Sequence, residues 1–235
     1  MKIEILFPEL CNLYGDTGNV MLLKQTLPKA TFIYTSILEK PRFLDEKIDF
    51  VYLATTTEKH QELMIEKLLP FKEEIKTKID DNTLILATGN SFEIFGDYII
   101  NEDKQITALG IFPYYSKRDM NKRHNSLFLG KYNNIDMVGF KSQFSFTYNN
   151  KNDFIKVTRG IGLNKEDYYE GVRKNNFFGT YLLGPFLVSN PFFTKYLLNK
   201  IGYNGFLAYE EELIKAYQVR LKELKDPKTG VIPKH

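Results

Sequence analysis

The chain has 235 residues, 43% hydrophobic and 26% charged, which is the balance of an ordinary soluble protein with length enough for a sizeable core. A formal net charge of +3 is too weak to point to nucleic acid, and no apolar run is long enough to cross a membrane. With Cys11 as the only cysteine and His60, His124 and His235 as the only histidines, an internal disulfide and a thiolate zinc site are excluded, and thiol–imidazole pairs are few.

The chain opens on MKIEILFPEL, where Glu4 and Glu9 and the lack of a cleavage pattern argue against a signal peptide, so a cytoplasmic protein is expected. KIEILF (2–7) reads as a strand, and GDTGNVMLLKQTL (15–27) as a turn leading into a helix. TFIYTSI (31–37) and KIDFVYLAT (47–55) read as strands. Residues 58–79 have helical periodicity through Leu63, Leu68, Ile75 and Ile79, interrupted by Pro70. NTLILAT (82–88) is the next strand, and 91–96 open an amphipathic helix after a tight Gly-Asn-Ser turn. This alternation predicts an α/β fold with a mostly parallel sheet, its site at the carboxyl ends of the strands near Gly89 and Thr55–Thr57.

From 98 to 160, short apolar runs punctuated by Asn, Gly and Asp predict an antiparallel extension of hairpins. Basic residues gather in SKRDMNKRH (116–124), with no aromatic residue interleaved among them. Residues 176–201 predict a strand, a Gly184–Pro185 turn and a helix with Asn190 as N-cap and Pro191 at its first position. A last helix over 208–225 uses Leu213, Tyr217, Leu221 and Leu224 as its apolar face, supported by a Glu211–Lys215 pair. The tail from Asp226 reads as loose, and one domain over 1–235 is expected. There is no phosphate-binding G-x-x-x-x-G-K-[ST] loop and no metal-ligand cluster, so no cofactor or metal is expected.

Three stretches carry a resemblance: LCNLYGDTGNVMLL (10–23), ATGNSFEIFG (87–96) and GVRKNNFFGTYLLGPFLVSNP (171–191). Their order and spacing resemble the class I glutamine amidotransferases of the CobB/CobQ type, and within them the glutaminase (GatD) subunits of lipid II isoglutaminyl synthase. The resemblance implies a flavodoxin-like three-layer sandwich. It implies glutamine hydrolysis by a cysteine thiolate and a histidine, with the oxyanion held by backbone N–H groups. Ammonia would pass to a protein partner, a Mur-ligase-like or related synthetase subunit acting on a peptidoglycan precursor in a bacterial cytoplasm.

Carried over residue by residue, the elbow cysteine falls on Gly89 and the histidine on Leu183. The glycine-rich strand end falls on Ala54, Thr55 and Thr56, and the elbow glutamine becomes Glu93. Gly15, Asp16, Gly18, Asn19 and Arg173 are kept. The resemblance thus implies a degenerate catalytic centre in which Thr55, Thr56, Asn90, Glu93 and Arg123 line the old pocket, still able to take glutamine or glutamate. Enzyme status stays open at this point. In a second register, GNSFE (89–93) is one residue short of a G-x-S-x-G elbow and would make Ser91 a serine nucleophile; the plainer reading of Ser91 is a first-turn hydroxyl. Asp16 either orients chemistry or caps the following helix, Arg173 either binds a carboxylate or forms a surface pair, and Arg123 is either a pocket base or a solvated loop charge. Cys11 reads as a small buried hydrophobe, His60 as a helix-start residue and His124 as a loop residue.

Overall fold

A computed structural model describes residues 1–231; His235, one of the three histidines, lies outside them. Strand β1 (Lys2–Leu6) is followed by helix α1 (Thr17–Thr26) and β2 (Thr31–Thr35). Then come β3 (Phe50–Leu53), α2 (Glu58–Leu68), α3 (Lys72–Asp80) and β4 (Leu84–Thr88). β3 and β4 are buried along their whole length, as strands covered on both faces must be. In the sheet order the β1–β2 and β3–β4 crossovers run in opposite directions, so the right-handed rule for such crossovers puts α1 and α2–α3 on opposite faces.

Within this apolar layer β1 carries one buried acid. Glu4 accepts hydrogen bonds from Thr35 Oγ1 and from the backbone N–H groups of Arg42 (2.7 Å) and Phe43 (2.7 Å), which ties β1 to β2 and to the turn at Arg42–Leu44. Burial raises its carboxyl above the ordinary value, and these bonds pull it back.

The second half supplies β5 (Tyr98–Asn101), β6 (Lys104–Thr107), β7 (Tyr115–Arg118), β8 (His124–Tyr132), β9 (Ile135–Gln143), β10 (Ser145–Tyr148), β11 (Asp153–Arg159), β12 (Tyr169–Lys174) and β13 (Phe177–Thr180). Helices α4 (Phe186–Ser189), α5 (Pro191–Lys200) and α6 (Glu210–Lys225) close the chain. Among the described residues there is a nine-stranded sheet ordered β2-β1-β3-β4-β13-β12-β11-β8-β9, and a four-stranded sheet ordered β10-β7-β5-β6.

The expectation of a mostly parallel sheet is corrected. Parallel pairing runs from β2 to β13, and every junction from β13 to β9 is antiparallel, so the large sheet is mixed. The reason is that β8 and β9 form a long hairpin, closed at Asn133–Asn134 with Asn133 in the left-handed region, and β11 and β12 then insert between it and β13. β5 and β7, expected within hairpins, pair in parallel.

Other local expectations shift in instructive ways. Pro70 does divide the helical stretch, leaving a 3-10 turn at Leu69–Phe71 between α2 and α3. The buried face of α2, however, is Gln61, Met64, Ile65 and Leu68, while Leu63 is exposed. Residues 91–96 do not start an amphipathic helix. Gly89–Phe95 is one 3-10 stretch, buried throughout and ended by Gly96. Asn190 stands before α5 as expected, but its side chain bonds the N–H and C=O of Val138 on β9 instead of capping. On α6, Tyr217 and Leu224 are buried and Leu213 and Leu221 half-buried. The Glu211–Lys215 pair is exposed at 3.9 Å and adds little. The tail is held as far as it is described: Arg159 donates to the carbonyls of Leu224, Asp226 and Thr229 at 2.6, 2.7 and 2.6 Å, and Leu127 N donates to Val231 O at 2.7 Å.

Candidate functional site

The carboxyl ends of β3, β4 and β13 converge on one cleft of about 100 Å3, room for several waters or a small side chain. Gly89, at the exit of β4, lies on its wall at φ +61°, a backbone conformation that costs an L-residue about 1–2 kcal/mol. Leu183, three residues past the end of β13, lines the same cleft; its N–H donates to Phe140 O at 3.0 Å. Thr55, Thr56, Asn90, Glu93 and Arg123 line it too, together with Tyr14, Gln143 and Tyr181.

The side-chain space at Gly89 is already occupied. A Cβ built there would lie 2.8 Å from Thr55 Cβ and closer still to its Oγ1 and Cγ2. The threonine on the strand end thus fills the volume into which a side chain at the elbow would point. The two departures seen in the sequence, at 55 and at 89, are complementary in shape.

Beneath this contact lies a buried polar network. Asp16 occupies the N-cap position of α1 but makes no capping bond. Its Oδ2 instead accepts from Thr55 N (2.7 Å) and Thr88 Oγ1 (3.2 Å), and its Oδ1 from Asn19 Nδ2 (3.2 Å). The capping reading is therefore corrected: in place of the first free N–H groups of α1, the carboxylate serves the ends of β3 and β4. Asn19 also donates to Tyr52 OH (2.8 Å) and accepts from Leu187 N (2.8 Å). Burial raises the Asp16 carboxyl above its ordinary range, and the bonds from Thr55 and Thr88 oppose that. Gly184 packs directly on Asp16 Oδ1, where a side chain would collide. Gly18 leaves room for Pro185, since a Cβ there would lie 3.0 Å from Pro185 Cβ. The sequence stretches around 10–23 and 180–191 are thus fastened to each other through Asp16, Asn19, Gly18 and Gly184.

Glu93 is fully buried on the far wall. Its carboxylate accepts from Tyr181 OH (2.7 Å) and Gln61 Nε2 (3.0 Å), and Arg118 follows behind Gln61 at 2.6 Å. Burial dominates and holds its carboxyl above the ordinary value. Asn90 Oδ1 accepts from Thr56 N at 3.2 Å. Arg123 is no free loop charge: it donates to Tyr14 OH at 3.1 Å and lies over the Phe144 ring at 4.4 Å, at the cleft mouth.

The remaining reactive side chains are elsewhere. Ser91 is fully buried, donates its proton to Ala54 O at 2.5 Å and does not line the cleft. In place of a first-turn cap, this hydroxyl staples the elbow to the residue that follows β3. Cys11 packs against Met64 Sδ at 3.4 Å, and burial pushes its thiol up to about 12, where no thiolate forms near neutrality. His60 follows the N-cap Thr57 of α2. His124 is a strand residue of β8, not a loop residue, bonded to Ser126 Oγ at 2.9 Å. Arg173 lies over Phe178 at 5.9 Å on β12, away from the cleft. Among the described residues lining the cleft there is no cysteine, histidine or lysine.

Tyr14, Gln61, Gln143 and Tyr181 went unread in the sequence. Tyr181 sits two residues before Leu183 in the same motif and was within reach of the reading; Gln143 arrives only because β9 pairs back along β8.

Residues 2–191 match the CobB/CobQ-like glutamine amidotransferase domain. The chain is 29% identical over 192 residues to the GatD subunit of the glutamine-hydrolyzing lipid II isoglutaminyl synthase of Staphylococcus aureus strain N315, covering 80% of this chain and 79% of that protein. It is 29% identical over 201 residues to the corresponding GatD subunit of Streptococcus pneumoniae strain R6, covering 81% and 76%. Among solved structures, one glutamine amidotransferase superimposes with a TM-score of 0.56 at 11% identity, covering 86% of this chain and 99% of that one. A glutamine amidotransferase of Thermotoga maritima does so with 0.50 at 11% identity, covering 93% and 92%. These two likenesses establish a glutamine amidotransferase-like α/β fold with a mixed sheet.

Proposed function

The chain belongs to the CobB/CobQ-like glutamine amidotransferase family, and from that premise we propose that it is a GatD-like subunit that does not hydrolyse glutamine. The single observation carrying this reading is the cleft itself: Gly89 stands at the elbow with Thr55 packed into its side-chain space, and Leu183 faces the same hollow. Covalent catalysis at this elbow needs a nucleophile and a proton shuttle, and glycine and leucine supply neither. Meanwhile the network of Asp16, Asn19, Tyr52 and Thr88 keeps the surrounding backbone in one shape.

A protein that keeps this scaffold without its chemistry serves as a partner-binding or regulatory subunit. The relatives are named as subunits of a lipid II isoglutaminyl synthase, which supports a Mur-ligase-like partner that amidates a peptidoglycan precursor in the cytoplasm. The cleft retains polar groups at Asn90, Glu93 and Gln143, which suit a carboxamide or carboxylate ligand such as glutamine or glutamate.

The test is glutamate release from glutamine by the purified chain, alone and with a partner co-purified from its native host. We expect no release above that of a Cys11→Ala, Ser91→Ala control. Release clearly above the control overturns the reading.

A further inference from the structure

We propose that a second hollow, walled by β7, β10 and the turn before β8, binds a small molecule carrying phosphate groups. It encloses about 660 Å3, within the range of small-ligand sites, and shares only Arg123 and Phe144 with the cleft described above. Five cations line it, Lys117, Arg118, Lys122, Arg123 and Lys165, against one acid, Asp119.

Most of that charge is uncompensated. Arg118 is met by Glu62 at 2.8 Å, and Lys122 reaches Asp119 only at 4.0 Å. Among the described residues, Lys117, Arg123 and Lys165 have no carboxylate within ion-pair distance. Cations gathered without counter-ions repel one another, and a polyanion relieves that repulsion. The neighbouring imidazole of His124 is lowered to about 4, chiefly by burial, with Lys141 and then Lys165 adding to it.

The aromatic residues hold the cations in place. Register pairs Phe146 with Lys117 and Tyr148 with Tyr115 across β10 and β7. The Lys117 ammonium stands 5.5 Å from the Tyr148 ring and 5.8 Å from Tyr115, and the Arg123 guanidinium stands over the Phe144 ring at 4.4 Å. A guanidinium edge together with two ammonium groups suits the several oxygens of a phosphate or pyrophosphate better than a single carboxylate. Phe146 and Tyr148 offer the rest of the molecule an apolar wall. The concave shape favours a small molecule over an extended anionic polymer.

Isothermal titration of the full chain at low salt, with inorganic pyrophosphate and with ATP as probes, tests this. Both are expected to bind and to weaken as salt rises, ATP more tightly if the aromatic wall takes part. Lys117→Ala with Lys165→Ala is expected to weaken binding about tenfold or more, since each charged hydrogen bond to phosphate is lost outright. Lys222→Ala, on the exposed face of α6, is expected to change nothing. Absence of binding by both probes overturns the proposal, as does binding indifferent to the paired lysine variants. Capture of an acidic peptide in place of either probe also overturns it. Glutaminase activity, present or absent, leaves this proposal untouched, so the two readings fail independently.

Discussion

Replacing Gly89 by alanine adds a single carbon, and its effect follows from two features of the fold. The backbone there has φ +61°, where a Cβ costs about 1–2 kcal/mol. The new carbon would also stand 2.8 Å from Thr55 Cβ and nearer to Oγ1 and Cγ2, and overpacking of this kind costs about 1–3 kcal/mol. Together these predict a loss of about 2–5 kcal/mol, which for a chain of this size lowers the melting temperature by about 4–20 °C. Thr55→Gly removes the obstructing atoms while keeping the N–H that Asp16 accepts. The double variant Thr55→Gly, Gly89→Ala should therefore recover the packing share, leaving only the backbone strain. A double-mutant cycle by urea denaturation is expected to return a favourable coupling of about 1–3 kcal/mol between positions 55 and 89. Coupling near zero, or a Gly89→Ala variant as stable as the parent, would refute the argument that Thr55 fills the elbow's side-chain space.

Asp16→Ala should cost about 2–4 kcal/mol in chemical denaturation, because it strands the N–H of Thr55 and the donors of Thr88 and Asn19; a mere cap would cost about 1 kcal/mol. Glu93 has a carboxyl held above its ordinary 4.5 in the fold, so the unfolded chain releases that proton first as pH rises. Its contribution to stability is therefore fullest below 4.5 and declines as pH climbs through the raised folded value. The stability of Glu93→Gln relative to the parent should accordingly increase from pH 4 to pH 8, and a flat difference would show that the carboxyl is not shifted upward. Iodoacetamide at pH 8 should leave Cys11 of the folded chain unmodified and alkylate it only in denaturant, given a thiol pushed up to about 12. A fluorophosphonate probe should not label Ser91, whose hydroxyl is sealed against Ala54 O; a Ser91-dependent adduct would restore the serine-nucleophile reading.

Where chemistry repeats along the chain, the sequence was a good guide. The apolar runs at 50–53 and 84–87 became strands covered on both faces, and Pro70 divided its helix because it has no N–H to give. The tight turn after β4 was legible in a strand followed by Gly-Asn-Ser, and Gly89 takes it at positive φ. What failed locally failed for a common reason. Asp16 and Asn190 stand at N-cap positions and Ser91 in the first turn of its 3-10 stretch, and all three bond instead to distant backbone on or just past a strand. Once a helix end is buried against a sheet, a side-chain oxygen can satisfy a strand's backbone as well as its own.

The order of apolar runs, the turn residues and the long motifs at 10–23, 87–96 and 171–191 were enough to expect an α/β chain of the amidotransferase type and to single out positions 89 and 183, which line one cleft. Pairing across long separations decided the rest. Thr55 meets Gly89 because β3 and β4 are neighbours in register, and steric fit between two strand ends cannot be read from either alone. The basic run at 116–124 carried no aromatic residue of its own. Antiparallel pairing of β10 with β7 set Phe146 and Tyr148 beside it, because hydrogen-bonded strands bring side chains within about 5 Å however far apart they lie in the chain.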